Sequence, residues 1–403
     1  MFSGIHQNYR YPRDRSFHLV CWKRFLSARR MRQGSGLKIT EAYGKMHEEN
    51  VGKRMRQRRT QKLRILILLS LLFITCEQNK TPLAAKADQI QEYPSHEFEW
   101  TADTLAPPDA FQVYMYDIWG TDENNVWCVG HSDLNKYQIW HWNGNQWRNV
   151  ETHIMGERPS YFEIFGFSEN DFWIAGYTSI YNGYLLHFDG EWHRMDNNEL
   201  ATCLSLWGSS SQNLYIGCNQ GIIYRYDGDH FTKYETGKNL QFTTIWGLQS
   251  GEIFAIGVNT ENQPAEPPIR YLFKYDTDKF TLLDSVVRVT PYVETIGMDL
   301  WGTDINNLYS PTGNSLTKYA NGEWVTQFYA ALYRVFGSSS YNIFTGGYYN
   351  RIYHYNGIDW AEVYPGSEEL GGMWGVWCND EHVFLIQHPA YFTRILRGKQ
   401  MRP

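Results

Sequence analysis

An aromatic residue followed by glycine recurs seven times along this 403-residue chain, and its spacing constrains the fold more than any other feature. Successive pairs lie 35 to 55 residues apart. Self-similarity at a period of about 40 residues is typical of repeat architectures, in which each unit packs mainly against its neighbours. The pairs are Trp119-Gly120, Phe165-Gly166, Trp207-Gly208, Trp246-Gly247, Trp301-Gly302, Phe336-Gly337 and Trp374-Gly375.

Each repeat contains four short segments that are typical of β-strands. In the first repeat they are 113–119, 126–129, 138–142 and 146–150, all rich in β-branched and aromatic residues. Asn143-Gly144 predicts a tight hairpin between the last two, because both central positions of such a turn favour positive φ. Four short antiparallel strands that repeat radially predict the blade of a β-propeller.

The last repeat has three predicted strands, ending at 391–396, whereas 97–101 resembles a fourth strand that has no repeat of its own. Because an open ring would leave unpaired strand edges, we expect 97–101 to pair with 391–396. Trp100 would then take the place that Trp147 has in the first blade. The sequence thus predicts an all-β fold over residues 94–398: a seven-bladed β-propeller of four-stranded antiparallel blades, closed by an N-terminal strand in the last blade.

The first 76 residues differ from the repeats. Residues 1–60 hold fifteen Lys or Arg against four Asp or Glu. We expect 1–54 to be a basic segment that is disordered or lies upstream of the true start at Met55. The apolar run 65–74 is shorter than the roughly 20 residues of a spanning helix. Its length and preceding basic residues predict a signal peptide over 55–76, with a basic tail on a signal anchor as the alternative.

Residues 73–76, Phe-Ile-Thr-Cys, resemble the lipobox of bacterial lipoproteins. The resemblance implies lipidation of Cys76 and a lipoprotein of the cell envelope, anchored in the outer membrane, with 77–93 as a polar tether. A competing cleavage site after Ala87, in Ala85-Lys86-Ala87, would instead give a secreted protein.

Charge and composition restrict the partners. Residues after Cys76 carry 20 Lys or Arg and 39 Asp or Glu, a net charge of −19. This balance disfavours nucleic acid and anionic membrane surfaces, since phosphate contacts dominate such binding. The membrane would be reached through the lipid anchor only. The 16 Trp, 29 Tyr and 21 Phe predict aromatic packing between blades of a monomeric ring.

The cysteines offer one candidate cross-link. Cys203 and Cys218 lie at equal distances from a predicted turn, so a cross-strand disulfide is geometrically allowed, and export would permit it. Two buried free thiols are the alternative. The chain has no C-x-x-C motif, so we expect no metal site, and no cofactor motif is present either.

One set of polar residues recurs at the period of the fold, in the third strand of each repeat. Seven equivalent positions around a ring cannot converge on one metal, so we interpret the set as structural and assign it no ligand. Its members are His141, His187, Arg225, Lys274, Lys318, His354 and Arg394.

The repeats follow the pattern W-G-x-x-x-x-N-x-[WY]-x-x-G, then H-[YF]-[DN]-G-x-x-W, over residues 96–396. This pattern resembles bacterial exported β-propeller repeat proteins, and its hairpins loosely resemble the Asp-box turns of sialidases without their spaced Ser and Asp. The resemblance implies a scaffold and leaves activity open, because function depends on the site that a fold carries.

The connections that vary in length lie between blades and between second and third strands, and in a four-stranded blade both emerge on one face. Binding residues favour such loops on a rigid scaffold. We therefore predict a non-catalytic binding or assembly platform for a protein or carbohydrate ligand. The alternative is a sialidase-like carbohydrate-active hydrolase that uses the same face, with arginines drawn from Arg158, Arg270, Arg288 and Arg334. The candidate ligand-binding residues are Tyr137, Arg158, Tyr181, Tyr184, Tyr348 and Tyr349; no catalytic residue is predicted.

Overall fold

The computed structural model describes residues 93–401, except 153, 155–157, 179–181, 196–199, 260–268, 288–295, 367–370 and 390. The predicted basic segment, the signal peptide with Cys76 and nearly all of the tether lie outside the described residues. Within them, 28 strands form seven four-stranded antiparallel sheets arranged as a ring, the predicted seven-bladed β-propeller. No helix in this part of the chain is long and apolar enough to cross a membrane.

Six blades use four consecutive strands, numbered outward from the central channel. Blade one has β2 (Val113–Asp122), β3 (Asn125–Ser132), β4 (Ile139–Trp142) and β5 (Trp147–Asn149); blade two has β6 (Ser160–Ser168), β7 (Asp171–Tyr177), β8 (Gly183–Phe188) and β9 (Trp192–Arg194). Blade three has β10 (Cys203–Ser210), β11 (Asn213–Cys218), β12 (Ile222–Tyr226) and β13 (Phe231–Glu235); blade four has β14 (Gln241–Gly247), β15 (Ile253–Val258), β16 (Ile269–Asp276) and β17 (Lys279–Val287).

Blade five has β18 (Trp301–Gly302), β19 (Leu308–Pro311), β20 (Leu316–Ala320) and β21 (Glu323–Phe328); blade six has β22 (Leu332–Ser339), β23 (Asn342–Gly347), β24 (Ile352–Tyr355) and β25 (Trp360–Tyr364). Blade seven combines β26 (Met373–Cys378), β27 (His382–Gln387) and β28 (Thr393–Gln400) with β1 (Phe98–Leu105) as its outer strand.

The ring closes as predicted, but with a different register. β1 pairs antiparallel with β28, so that Leu105 lies opposite Thr393 and Trp100 lies opposite Gly398. The predicted partner, 391–396, is therefore wrong for 97–101, because β28 continues beyond it. The place of Trp100 is confirmed, since Gly398 is the equivalent of Trp142, which lies opposite Trp147 in blade one.

Contacts of β1 with both neighbouring blades strengthen the closure. The Trp100 indole Nε1 donates a hydrogen bond to the Val363 carbonyl oxygen of blade six at 3.2 Å. Asp103 accepts from Arg397 Nε at 2.7 Å and from the Trp147 indole of blade one at 3.2 Å. The first and last parts of the propeller are thus joined by backbone pairing and by side chains.

The aromatic–glycine pairs explain how neighbouring blades approach one another. A Cβ placed on Gly166 would lie 2.6 Å from the Trp119 ring, and one on Gly247 would lie 2.1 Å from the Trp207 ring. The indole of one blade therefore lies directly against the backbone of the next, where only glycine leaves room. This packing is a core role, as the sequence predicted for the tryptophans.

The seventh pair was assigned wrongly from the sequence. Trp377 lies opposite Phe384, as Trp119 lies opposite Trp127 in blade one. The equivalent of the aromatic–glycine pair in blade seven is therefore Trp377-Cys378, whereas Trp374-Gly375 lies three residues earlier on the same inner strand.

The polar set in the third strands is structural. His141 stacks on Trp127 with ring centroids 4.1 Å apart, and its Nε2 lies 2.6 Å from Asn125 Oδ1. His187 repeats the arrangement on Trp173 in blade two. In blade seven the equivalent is Arg397, which lies opposite Phe384, and the sequence assignment of Arg394 is wrong because β28 extends further than predicted.

Cys203 and Cys218 lie directly opposite each other on β10 and β11, as the sequence predicted. Their Sγ atoms are 3.5 Å apart, and both thiols are free and buried in the structure. Burial and the neighbouring Cys203 thiol raise the pKa of Cys218. A bond between the two stays a prediction.

Candidate binding site

One position in each blade, three residues before the aromatic residue of the inner strand, lies at the face where the variable connections emerge. Six of these residues line a cavity of about 540 Å³ at the mouth of the central channel, and the seventh, Tyr116, stacks on its neighbour Phe162. This cavity is called the funnel below. The seven residues are Tyr116, Phe162, Leu204, Thr243, Met298, Tyr333 and Trp374.

Blades six, seven, one and two supply an aromatic half of the funnel. Tyr116, Phe162 and Tyr177 form a row with successive ring centroids 5.4 Å apart. Trp374 stacks on His388 at 5.5 Å, and its side chain is 44 % exposed. This half is a continuous apolar wall whose rings support one another.

Blades three, four and five supply the other half, which carries hydroxyl, amide and aliphatic groups. Its lining residues are Thr202, Leu204, Asn219, Gln241, Thr243 and Met298. The Oδ1 atom of Asn219 is buried and has no hydrogen-bond partner among the described residues. An unsatisfied buried acceptor is costly, so a ligand that donates a hydrogen bond here would be favoured.

Arg334 forms the floor of the funnel. Its Nε donates to the Trp374 carbonyl oxygen at 2.6 Å, and its Nη1 lies 3.8 Å from Asp299 Oδ1. Among the described lining residues Arg334 is the one with a formal charge, and Asp299 balances it. The funnel therefore presents little net charge to a ligand.

The channel below the funnel is lined by residues that directly follow these positions in several blades, including Asp117, Glu163 and Asp299. Burial raises the pKa of Asp117 to about 6 and that of Glu163 well above its usual range, while Arg334 opposes both shifts. Asp117 accepts a hydrogen bond from the Ile164 backbone at 2.9 Å, and Asp299 accepts one from Val335 at 2.9 Å.

Those two carboxyl groups therefore join adjacent blades, one to two and five to six. In the described part of the chain, no group of three or more His, Cys, Asp or Glu is placed to hold a metal ion. The hydrogen bonds that Asp117 and Asp299 accept in the channel therefore have a structural role, since they hold adjacent blades together.

Of the residues predicted from the sequence to bind a ligand, Tyr348 lies in the funnel wall and is 53 % exposed. Tyr349 is exposed beside it and lines a neighbouring pocket of about 380 Å³ that also includes Tyr348, Tyr329 and Arg351. The two tyrosines of blade six thus lie together on the predicted face.

The other predicted residues are spread more widely. Tyr137 stacks on Trp140 and donates its hydroxyl to Asp109 at 2.8 Å, outside the funnel. Arg158 donates to the Asp133 carbonyl oxygen. Tyr184 is fully buried in the core of blade two, so its ring is not available on the surface as predicted. Tyr181 lies outside the described residues.

The arginines named for a hydrolase do not converge either. Arg270 is buried and donates to the carbonyl oxygens of Ile296 and Thr312, away from the funnel lining. Arg158 is also outside that lining, and Arg288 lies outside the described residues.

Apart from Tyr348, the sequence prediction missed the residues that line the funnel, although the signal for the seven equivalent positions was present. Counting back three residues from each inner aromatic finds all seven positions, provided that Trp377 is taken as the aromatic of blade seven. Because the sequence analysis assigned Trp374 to the inner aromatic position of the repeat, it did not recognise Trp374 as an exposed residue of the funnel.

Solved structures share this fold. A structure of YCF48 bound to a D1 peptide matches with a TM-score of 0.56 at 13 % identity, over 77 % of this chain and 100 % of that one. YCF48 from Cyanidioschyzon merolae matches with a TM-score of 0.52 at 12 % identity, over 74 % of this chain and 98 % of that one. The extracellular domain of a one-component system from B. thetaiotaomicron matches with 0.53 at 12 %, over 74 % of this chain and 39 % of that chain.

No protein-family model and no curated protein matches the chain. At such identities the structural likeness shows the fold alone, and the function must be argued from the site.

Proposed function

We propose that the protein is a non-catalytic binding or assembly platform that takes a protein or glycan ligand at the funnel. The observation that carries the proposal is the funnel itself, to which six of the seven blades contribute the equivalent lining residue, while Tyr116 of the seventh stacks on Phe162. A concave, mainly apolar site with a few placed polar groups is the usual form of a binding site.

The fold supports this use. YCF48 has the same propeller architecture and was solved bound to a D1 peptide. A ring of this type can therefore hold a polypeptide segment, although the identity of that segment does not transfer to this chain.

The arrangement of charged groups favours binding over hydrolysis. A sialidase-like site would need several arginines and an acid around one pocket. Here Arg334 contacts Asp299, and Asp117 accepts a backbone hydrogen bond between blades. These groups have structural partners and face the channel.

The proposal includes export and lipid anchoring through Cys76, with release after Ala87 as its competitor. The lipobox resemblance and the −19 charge of the chain after Cys76 support an address in the cell envelope. A platform there would present the funnel to envelope or external ligands.

The test is to incubate the purified protein with a glycan array and with chromogenic glycosides. We expect no turnover, and any glycan bound should be lost in Trp374→Ala. Turnover that is abolished by Glu163→Gln, in a variant that keeps the wild-type unfolding midpoint, would overturn the proposal in favour of the hydrolase.

A further inference from the structure

The arrangement of rings in the funnel determines which surface a ligand meets. Phe162 stacks with two neighbouring rings, those of Tyr116 and Tyr177, whose planes are inclined to it by 24° and 15°. Trp374 is covered on one face by His388. Ring edges therefore make up much of the aromatic wall. A sugar ring binds best on an open aromatic face, whereas edges pair well with aliphatic groups and with the face of an incoming aromatic ring.

The charge of the funnel narrows the choice further. Arg334 already contacts Asp299 and donates to the Trp374 carbonyl oxygen. A charged group that entered the funnel would lose hydration, and the one charged residue of the described lining, Arg334, is already paired. The complementary occupant is therefore uncharged where it enters.

The polar half supplies hydrogen bonds that a main chain can use. The Asn219 Oδ1 atom is a buried acceptor that the described residues leave unsatisfied, and Gln241 also lines this half of the funnel. A polypeptide offers one N–H donor at every residue other than proline. An extended segment could therefore satisfy Asn219 while its side chain enters the aromatic half.

The neighbouring pocket indicates an occupant longer than one side chain. It shares Tyr348 with the funnel, and the rings of Tyr348 and Tyr333 meet edge to face at 4.6 Å. Tyr329 and Tyr349 on its far side are 60 % and 55 % exposed. Two adjoining pockets that share Tyr348 as a wall suit a peptide that places one side chain in each pocket.

We propose that the funnel binds an extended, uncharged protein segment, which inserts an aromatic or branched aliphatic side chain against Trp374 and donates a main-chain hydrogen bond to Asn219. This inference rests on the proposed platform function and names its class of ligand. It commits to a protein and against a glycan.

The test uses a random peptide library displayed on phage and selected on the immobilised wild-type protein. We expect the selected peptides to share one aromatic or aliphatic anchor flanked by uncharged residues. Synthetic copies should bind Trp374→Ala about 30-fold more weakly, as expected for a buried aromatic hot spot. Asn219→Ala should weaken binding about tenfold.

Tyr391→Ala is the matched control, because Tyr391 is also an exposed aromatic but does not line the funnel. Its affinity should remain within about twofold of wild type. Selected peptides that are consistently charged, or that bind Trp374→Ala as tightly as wild type, would overturn the inference. A glycan whose binding requires Trp374, with no peptide selected, would overturn the inference and leave the platform function standing. If neither the peptide library nor the glycan array yields a ligand whose binding requires Trp374, both this inference and the proposed platform function at the funnel are overturned.

Discussion

At the scale of single residues, His354 is the histidine for which we expect the dependence of stability on pH to extend over the widest pH range. It is fully buried, its ring stacks on Phe344 at 4.5 Å, and its Nε2 lies 2.9 Å from Asn342 Oδ1. Burial, with a smaller contribution from His96, lowers the pKa of His354 to about 3.

The unfolded chain protonates this histidine below about pH 6.5, whereas the folded protein does not until about pH 3. The free energy of unfolding should therefore fall as the pH drops through that window, by up to roughly 1.4 kcal/mol per pH unit for this group. His354→Gln should flatten the slope. Urea unfolding at pH 7.5, 6 and 5 measures it.

Asp117 and Glu163 act in the opposite sense, since their raised pKa values favour the folded state at low pH, but both are present in the variant as well. The exposed His230→Gln serves as the control and should keep the wild-type slope. If the free energy of unfolding of His354→Gln changed with pH as steeply as that of wild type, the lowered pKa of His354 would be contradicted.

The facing cysteines give a second prediction at this scale. Because Cys203 and Cys218 are direct cross-strand partners, the protein should contain a disulfide between them if it is exported as proposed. Intact mass measured after alkylation in denaturant without reductant should show both thiols protected, and Cys218→Ala should make Cys203 reactive. Alkylation of both thiols in the protein isolated from its producing cells would show that they stay free.

At the scale of elements, the closure of blade seven depends on Gly398. A Cβ at this position would lie 2.7 Å from the Trp100 ring and 2.9 Å from Val383. Gly398→Ala should destabilise the protein by about 1–3 kcal/mol through this overpacking. Gly372→Ala, where the nearest atom would be 3.6 Å away, is the control and should change stability little. Equal unfolding midpoints for the two variants would mean that Trp100 does not occupy this place.

The strands could be predicted from the sequence, and so could the identity of the closing strand. The turn residues and aromatic spacing repeat in blades one to six, so the strand prediction for each of these blades is supported by the others. The register of β1 could not be predicted, because residues 397–400, Arg-Gly-Lys-Gln, lack the alternation that marks a strand. Trp100 lies opposite a residue without a side chain, and no pattern within either strand indicates that.

The funnel was predictable in part. The correct face follows from the loop lengths, and Tyr348 was found on it. The sequence did not show that Tyr184 is buried, because residue type alone does not distinguish a buried tyrosine from an exposed one. Trp374 was hidden because Trp-Gly occurs by coincidence three residues before the true inner aromatic, Trp377.

At the scale of the whole molecule, the cellular location of the protein determines which ligands it can meet. Cys76→Ser should abolish incorporation of an alkyne palmitate analogue and move the protein from the membrane to the soluble fraction. Wild type that takes no label and begins at Asp88 would establish cleavage after Ala87 in place of lipidation.

The most direct test of the central claim, that the funnel is the binding site, is photo-crosslinking in the producing cells. Trp374 is replaced by p-benzoylphenylalanine, and the same replacement is made at Ile358, which is 66 % exposed on a third-to-fourth-strand hairpin at the opposite face. We expect one protein partner to be joined covalently at position 374 and none at position 358. Adducts that form equally at both positions, or only at position 358, would contradict the assignment of the funnel as the site.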